Sequence, residues 1–306
     1  GFGKCSLTVA LPIISAAGIE TSVIPTAVLS THTGGFTGFT YRDLTEDIMP
    51  IVDHWKTLDI TFDGIYTGFL GSFEQVHLIE QTIDKLKTEK TVVVIDPVMA
   101  DNGELYAIFS KEFPKEMAKL CKKADLLIPN LTEASLLLEE PYMADGTYTQ
   151  TDIEGLLKRL SDLCQGDVVL TGISFEPEKL GAAVYERKTD KIAYAFTQRI
   201  EGYYHGTGDV FASAVTSGVL NGFTLAQSAQ IAVDFTAAAI LRTKNAGTDI
   251  RFGVNFEQEI PSFLNKIAGS GDRPGCASGY PEAMLAIQST GWEKRLLRVP
   301  DLRRIL

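Results

Sequence analysis

Short apolar runs alternate with amphipathic stretches over most of this chain, and this alternation restricts its possible folds more than any other feature. The apolar runs are nearly continuous, as in strands that are buried on both faces of a sheet. The alternation predicts an α/β fold in which helices cover both sides of a mostly parallel sheet. The expected strands are Ser22–Val28, Gly64–Phe69, Thr91–Asp96, Asp125–Pro129 and Asp167–Thr171. The expected helices between them are Leu44–Trp55, Phe73–Thr88, Lys111–Lys122, Glu133–Glu139 and Ile153–Cys164.

The pattern changes after the fifth strand. Gly181–Arg187 and Ile192–Arg199 are separated by only four residues, and this spacing predicts an antiparallel hairpin attached to one edge of the sheet. Three apolar stretches with helical spacing follow the hairpin. They predict helices over Asp209–Leu220, Leu225–Thr243 and Phe256–Ile267.

Both ends of the chain depart from this pattern. Gly1 leads almost at once into a helix-like stretch, Ser6–Ala17, so a first strand that feeds this helix is expected to be missing. At the other end, residues 269–306 begin with a Gly- and Pro-containing break and carry a net charge of +2, against −13 for residues 1–268. We therefore expect one domain over 1–268 and an appended or poorly ordered tail over 269–306, with a short helix around Glu282–Gln288.

Composition excludes several classes of protein. A net charge of −11 argues against a nucleic-acid partner, which calls for a basic face, but is compatible with a bound nucleotide. No apolar run approaches the roughly 18 residues that a membrane span needs, and no signal peptide is visible, so we expect a cytoplasmic protein without a membrane partner. Four scattered cysteines, Cys5, Cys121, Cys164 and Cys276, form no metal motif and are interpreted as reduced thiols.

The pentapeptide His205-Gly206-Thr207-Gly208-Asp209 precedes a run of small and apolar residues and carries the strongest functional signal. Two glycines at a helix start let the backbone approach a ligand closely, and the free N–H groups of the first turn favour an anion. An aspartate beside an anion site suits a base that takes a proton from an attacking hydroxyl. The alternative is an ordinary loop in which Asp209 is a first-turn acid, and the pentapeptide alone does not decide between them.

Polar side chains also follow three of the expected strands, where parallel sheets bind ligands. Asp96 ends the third strand beside a Gly-containing loop and suits Mg²⁺ or its water shell. Asn130 and Glu133 follow the fourth strand, although a helix cap and a first-turn acid explain them equally well. Thr171 and Gly172 follow the fifth. Each signal is weak alone, but together they place acids, amides and hydroxyls along one edge of one sheet.

The order of these motifs resembles the ribokinase-like superfamily, and within it the pyridoxal/pyridoxamine kinases. Four segments carry the resemblance in order: Asp96–Met99, Pro129–Glu133, Thr171–Gly172 and Gly206–Asp209. Ser30–Gly35 and Tyr66–Ser72 are similar to the two vitamin-binding loops of those kinases. The resemblance runs from about Gly3 to Ile267 and implies a three-layer α/β/α sandwich. It further implies transfer of phosphate from ATP to the 5′-hydroxymethyl group of pyridoxal, pyridoxamine or pyridoxine, in a homodimer.

The resemblance also implies roles for individual residues. Asp209 is the expected catalytic base, and the amides of Gly206, Thr207 and Gly208 are the expected anion hole. Asn130, Glu133, Thr171, Thr207 and Gly208 match positions that bind the nucleotide, and Asp96 with Glu133 matches the surroundings of Mg²⁺, with a monovalent cation as a further candidate. His32, Thr33 and Phe69 match the substrate pocket. Many relatives carry tyrosine where Phe69 stands, so the preferred vitamer is less constrained than the reaction.

Two other functions stay open at this point. A hydroxymethylpyrimidine kinase of thiamine biosynthesis acts on a similar hydroxymethyl group on an aromatic ring, although its Gly-rich entrance is not seen in Gly1–Ala17. A catalytically impaired fragment that only binds a nucleotide or vitamer is the second alternative. The expected loss of the first strand favours this alternative, whereas a carboxylate facing phosphates, as expected of Asp209, argues against it.

Overall fold

A mixed sheet of eight strands forms the centre of the computed structural model, which describes residues 1–268 and 284–288. In chain order the strands are β1 (Thr21–Pro25), β2 (Ala27–Leu29), β3 (Tyr41–Asp43), β4 (Gly64–Thr67), β5 (Val92–Ile95), β6 (Ala100–Asp101), β7 (Glu104–Leu105), β8 (Leu126–Leu127), β9 (Asp167–Ile173), β10 (Lys179–Glu186), β11 (Lys191–Gln198) and β12 (Met284–Gln288). The α-helices are α1 (Leu7–Ala16), α2 (Thr45–Thr57), α3 (Phe73–Leu86), α4 (Phe113–Cys121), α5 (Leu131–Leu137), α6 (Gln150–Cys164), α7 (Thr207–Leu220), α8 (Leu225–Ala246) and α9 (Ile260–Ala268).

The central sheet has the strand order β1-β12-β4-β5-β8-β9-β10-β11. Its first six strands are parallel, and β10 and β11 form an antiparallel hairpin at one edge, paired to β9. Apolar side chains fill the space on both faces of this sheet, one layer against α2 to α6 and the other against α1 and α7 to α9. The predicted α/β sandwich and its edge hairpin are therefore confirmed.

Strand β12 comes from the C-terminal part of the chain and lies between β1 and β4, parallel to both. All five of its residues are fully buried. The described part of the short helix predicted around Glu282–Gln288 is thus a strand, and the helix prediction is wrong for Met284–Gln288. Hydrogen-bonding partners on both sides outweigh local helical propensity in such a position. The rest of the predicted tail, 269–283 and 289–306, lies outside the described residues, and the boundary after residue 268 stays a prediction.

The first predicted strand, Ser22–Val28, is interrupted. β1 ends at Pro25, the N–H of Thr26 donates to the carbonyl oxygen of Gln288 (3.4 Å), and the chain then leaves the central sheet. β2 pairs instead with β3 in a separate two-stranded sheet. The loop between β2 and β3, residues 30–40, is called the flap below. This interruption places the flap beside the carboxyl edge of the central sheet.

Two expectations from composition concern the state of the cysteines and the presence of membrane-spanning helices. Cys5, Cys121 and Cys164 carry free thiols, as predicted, while Cys276 lies outside the described residues. Within the described part of the chain, no helix combines the length and the apolar character that crossing a bilayer requires.

Candidate active site

A cavity of about 470 Å³ opens at the carboxyl edge of the parallel strands. It is bounded by the loops after β5 and β8, the end of β9, the start of α7 and one face of α8. Ten of the eleven site residues predicted from sequence line it: His32, Phe69, Asp96, Asn130, Glu133, Thr171, Gly206, Thr207, Gly208 and Asp209. The eleventh, Thr33, is buried and is not among the lining residues. The separate strand-end signals in the sequence thus converge on one cavity.

The start of α7 holds Asp209 at this cavity. Asp209 lies in the first helical turn, and its Oδ2 accepts a hydrogen bond from the backbone N–H of Ser6 at 2.9 Å. Burial raises the pKa of Asp209 to about 6, although the bond from Ser6 acts in the opposite direction. A carboxylate with a raised pKa, close to a helix N-terminus, binds a proton more readily than an ordinary aspartate and still ionises near neutral pH. Asp209 therefore has the properties of a general base.

Glycine is required at position 206 for two independent reasons. Gly206 caps α7 in the left-handed region, with φ of 78°, and a Cβ there would lie 2.1 Å from the carbonyl oxygen of Lys4. Gly208, two residues on, has neither constraint, because a Cβ at that position meets nothing within 4 Å. The loop before α1 is therefore packed directly on the backbone that starts α7.

We expect Gly206→Ala to lower the free energy of unfolding by about 2–4 kcal/mol, because it adds a strained φ to a steric overlap. Gly208→Ala is the matched control and should change stability by less than about 0.5 kcal/mol. Urea denaturation at 25 °C measures both variants. Equal stability of the two would contradict the close approach of Lys4 to Gly206.

Glu133 is held at the start of α5 by a reciprocal cap. Its backbone N–H donates to Asn130 Oδ1 (2.9 Å), while Glu133 Oε2 accepts from the Asn130 N–H (2.9 Å) and Oε1 accepts from the Met99 N–H (3.1 Å). Asn130 Nδ2 donates to the carbonyl oxygen of Ala100 at 2.9 Å. The cap expected from the sequence is thus present, and it also fixes a carboxylate in the wall of the cavity.

Asp96 and Glu133 form an acidic part of the cavity wall, and little positive charge neutralises them. Burial, together with the negative charges of Glu133 and Asp209, raises the pKa of Asp96 well above its ordinary range. Burial also raises the pKa of Glu133 to about 8, against the effect of its two backbone hydrogen bonds. Among the residues that the structure describes, no Lys, Arg or His forms an ion pair with any of these three carboxylates.

The donor chemistry of this wall suits Mg²⁺. Carboxylate and carbonyl oxygens are its preferred protein ligands, and it usually keeps several waters beside substrate phosphates. Over 1–268 and 284–288, no three His, Cys, Asp or Glu side chains are close enough to form a direct ligand cluster. Asp96 and Glu133 therefore fit an ion that is held in part by water and phosphate oxygens, rather than a fully protein-ligated metal.

The raised pKa of Glu133 makes the ligand-free protein sensitive to alkaline pH. Because its folded-state pKa of about 8 exceeds its unfolded value, the folded state binds more protons between the two, and stability falls as pH rises through that window. We expect a loss on the order of 2 kcal/mol between pH 5.5 and pH 8.5, measured by urea denaturation. Glu133→Gln should lower stability overall but flatten this slope. Stability that rises with pH, or an unchanged slope in the variant, would contradict the assignment.

His32 stabilises the flap through hydrogen bonds at both of its ring nitrogens. It is 3% exposed, its Nδ1 accepts from the N–H of Gly34 (3.1 Å), and its Nε2 lies 2.5 Å from the carbonyl oxygen of Arg251. Because Nδ1 accepts, Nε2 carries the proton and donates to Arg251, which fixes the neutral tautomer. Burial lowers the pKa of His32 and stabilises this neutral form. Phe69 reaches the cavity from the loop after β4, and its ring packs on Phe109 with centroids 5.7 Å apart. His32 and Gly34 of the flap line the cavity together with Phe69 and Ser6.

An apolar part of the cavity lining was not predicted. Val233, Ala237 and Ile240 line it from α8, and the hydroxyl of Thr236 on the same helix has no hydrogen-bond partner. A lining of this kind accepts a flat ring and offers it one polar contact. α8 was predicted as a helix, but its sequence gives no signal that separates these residues from core. Ser6 was missed for a different reason, because it contributes only a backbone N–H.

Comparison with known proteins places this geometry among small-molecule kinases. Residues 11–253 match the profile of the phosphomethylpyrimidine kinase family. A pyridoxine kinase of Bacillus subtilis is 29% identical over 183 residues, which are 59% of this chain and 65% of that protein. A hydroxymethylpyrimidine/phosphomethylpyrimidine kinase of Aquifex aeolicus is 27% identical over 197 residues, 62% of this chain and 71% of that protein. The match to the Bacillus protein thus spans just under two thirds of its length.

A crystal structure shows the same similarity in three dimensions. A Bacteroides thetaiotaomicron protein assigned as a phosphomethylpyrimidine kinase superposes with a TM-score of 0.82 and is 37% identical, covering 86% of this chain and 90% of its own. An orthorhombic form of that protein, with pyridoxal, gives a TM-score of 0.80 over 86% of this chain and 92% of its own.

Proposed function

Because this chain belongs to the phosphomethylpyrimidine kinase family, as a pyridoxal kinase-type member of the ribokinase-like superfamily, we propose that it phosphorylates vitamin B6 with ATP. The acceptor is the 5′-hydroxymethyl group of pyridoxal, pyridoxamine or pyridoxine. The observation that carries the proposal is the position of Asp209, a half-buried carboxylate in the first turn of α7 and in the wall of the cavity. Pyridoxal in the crystal of the Bacteroides relative supports the substrate class.

The proposed reaction uses Asp209 to move one proton. As the substrate oxygen attacks the γ-phosphorus of ATP, Asp209 takes the hydroxyl proton, the bond from the γ-phosphorus to the bridging oxygen breaks, and ADP leaves. Gly206, Thr207 and Gly208 line the cavity at the helix start, where their backbone N–H groups would stabilise the transferring phosphoryl group. Holding both reactants in one cavity supplies a large further part of the rate.

In this proposal the nucleotide would bind on the α8 side of the cavity. The apolar surface of α8 would hold its base, with the Thr236 hydroxyl as a polar contact, and Thr171 and Thr207 would hold the triphosphate. Asp96 and Glu133, held by Asn130, would surround Mg²⁺ with its waters. The ion when bound neutralises charge on the phosphates. A cation there would also offset the negative charges of Glu133 and Asp209, which together with burial raise the pKa of Asp96.

Hydroxymethylpyrimidine is the second candidate substrate. The matching family takes its description from phosphomethylpyrimidine kinase, and the Aquifex relative carries that activity in its name. Both substrates present a hydroxymethyl group on a flat heteroaromatic ring, so the same base and the same anion hole serve either one. Only contacts to the other atoms and substituents of the ring can distinguish the two substrates.

Parallel phosphate-transfer assays with Mg·ATP test the proposal. Pyridoxal, pyridoxamine, pyridoxine and hydroxymethylpyrimidine are compared by kcat/KM, with Asp209→Asn as the inactive control. We expect the kcat/KM for at least one B6 vitamer to exceed the kcat/KM for hydroxymethylpyrimidine. A reversed order would favour the pyrimidine kinase. A folded protein that binds ATP and phosphorylates none of the four would support a binding protein instead.

A further inference from the structure

His205 lines the cavity and directly precedes Gly206, the residue that caps α7 at the proposed anion hole. The residue is half-buried. Neither of its ring nitrogens forms a hydrogen bond with any residue in 1–268 or 284–288, and neither is among the buried side-chain atoms that lack a partner. Both nitrogens are therefore accessible, and the reaction proposed above gives them no role.

The imidazole of His205 is held in place by packing. A Cβ at Gly34 of the flap would lie 2.7 Å from both Nδ1 and Cε1 of His205, so the glycine lets the flap rest directly on the ring. The rings of His32 and Tyr203 lie beside it, with centroid distances of 5.5 Å and 5.1 Å. His205 thus stands between the flap and the start of α7, and ring contacts set its orientation.

The rest of the cavity lining offers few side-chain donors for a phosphate. Within the part of the chain that the structure describes, no Lys or Arg lines the cavity. His32 already uses both of its ring nitrogens, and the hydroxyl of Thr207 donates to the carbonyl oxygen of Tyr204 at 3.3 Å. A triphosphate brings several negative charges into a cavity that also contains carboxylates. An additional N–H donor beside the anion hole would therefore stabilise the bound phosphates.

The chemistry of a neutral imidazole fits this position. Burial lowers the pKa of His205 and favours its neutral form, in which one ring nitrogen donates and the other accepts. We propose that His205 is a catalytic residue that donates a hydrogen bond from its imidazole to an oxygen of the phosphoryl group during transfer. This contact would add one side-chain donor to the backbone N–H groups of the anion hole. The proposal rests on the proposed function and adds a residue that recognises the transferred group.

His205→Phe tests this proposal, because phenylalanine keeps a ring against the flap and removes both nitrogens. His77→Phe is the matched control, since the side chain of His77 on α3 is 69% exposed. Each full-length protein is titrated with pyridoxine and with pyridoxine 5′-phosphate, and kcat and KM for pyridoxine are measured with Mg·ATP. We expect His205→Phe to lower kcat about 30-fold and to raise the Kd of the phosphate ester about 10-fold, while the Kd and KM of pyridoxine stay within about 2-fold.

Three further variants separate hydrogen bonding from support of the flap. Asparagine places a side-chain N–H near the position of Nδ1, and glutamine places one near Nε2, so His205→Asn or His205→Gln should restore kcat to within about 5-fold of the unmodified protein. Gly34→Ala pushes the flap away from the ring and keeps both nitrogens. It should raise the Kd of pyridoxine and of its phosphate by the same factor, as expected of a purely structural change.

The two ligands decide between a phosphoryl contact and a structural role. Equal weakening of both ligands in His205→Phe, an unchanged kcat, or failure of both amide variants to restore activity would overturn the proposal. If the unmodified protein prefers hydroxymethylpyrimidine, that compound and its phosphate ester are compared in the same way. If the unmodified protein binds these ligands without turnover, the proposed function fails, while the two titrations still decide whether His205 contacts the phosphate.

Discussion

Asp209→Asn should lower kcat for vitamer phosphorylation by about 10³-fold, because it removes the only group that we assign to take the hydroxyl proton. Asparagine retains a side-chain oxygen that accepts the N–H of Ser6, so the start of α7 and the loop before α1 should keep their packing. The KM for ATP should change by less than about 3-fold, since loss of a nearby negative charge does not weaken phosphate binding. Steady-state kinetics with calorimetric titration of Mg·ATP measure both quantities.

Asp84→Asn is the matched control for that substitution. Asp84 lies on α3, its side chain is 64% exposed, and it pairs only with Lys123 away from the cavity. We expect kcat within about 2-fold of the unmodified protein. If Asp209→Asn retained more than a tenth of the activity, general-base catalysis by Asp209 would be ruled out. If both variants bound nucleotide and vitamer equally well in a protein without turnover, a binding function would be the better explanation.

Local sequence was sufficient for the parts of this fold that depend on local interactions. The cap formed by Asn130 and Glu133 and the β10–β11 hairpin depend on residues near each other in the chain, and both could be predicted. Gly206 could be placed at a helix start for the same reason. The convergence of these segments on one cavity follows from the parallel sheet, because the carboxyl ends of its strands meet at one edge.

Interactions between distant parts of the chain could not be predicted in this way. The N–H of Ser6 reaches Asp209 across 203 residues of sequence, and no side-chain pattern marks a backbone donor. The resemblance places Thr33 in the substrate pocket, whereas in the structure it is buried and is not among the lining residues of the cavity. β12 was the largest omission. Four apolar residues and a glutamine, in a Gly- and Pro-rich stretch, carry no information about which gap in a sheet they fill.

The buried position of β12 predicts that substitutions in this strand lower the free energy of unfolding strongly. Leu285 is fully buried in the layer that faces α2 to α6, and its strand is hydrogen-bonded on both sides. We expect Leu285→Ala to lower the free energy of unfolding by about 3 kcal/mol through the cavity it leaves. Leu285→Asp should cost more, about 4 kcal/mol or above, since an unpaired charge is buried as well. Urea denaturation of the full-length variants measures both effects.

Leu58→Ala provides the comparison, because Leu58 is 55% exposed and its truncation should cost less than about 0.5 kcal/mol. If residues 284–288 lay outside the sheet, Leu285→Ala would be as mild as this control, and β1 and β4 would each present an unpaired edge. A large loss for Leu285 alone would instead make the C-terminal strand part of the kinase domain.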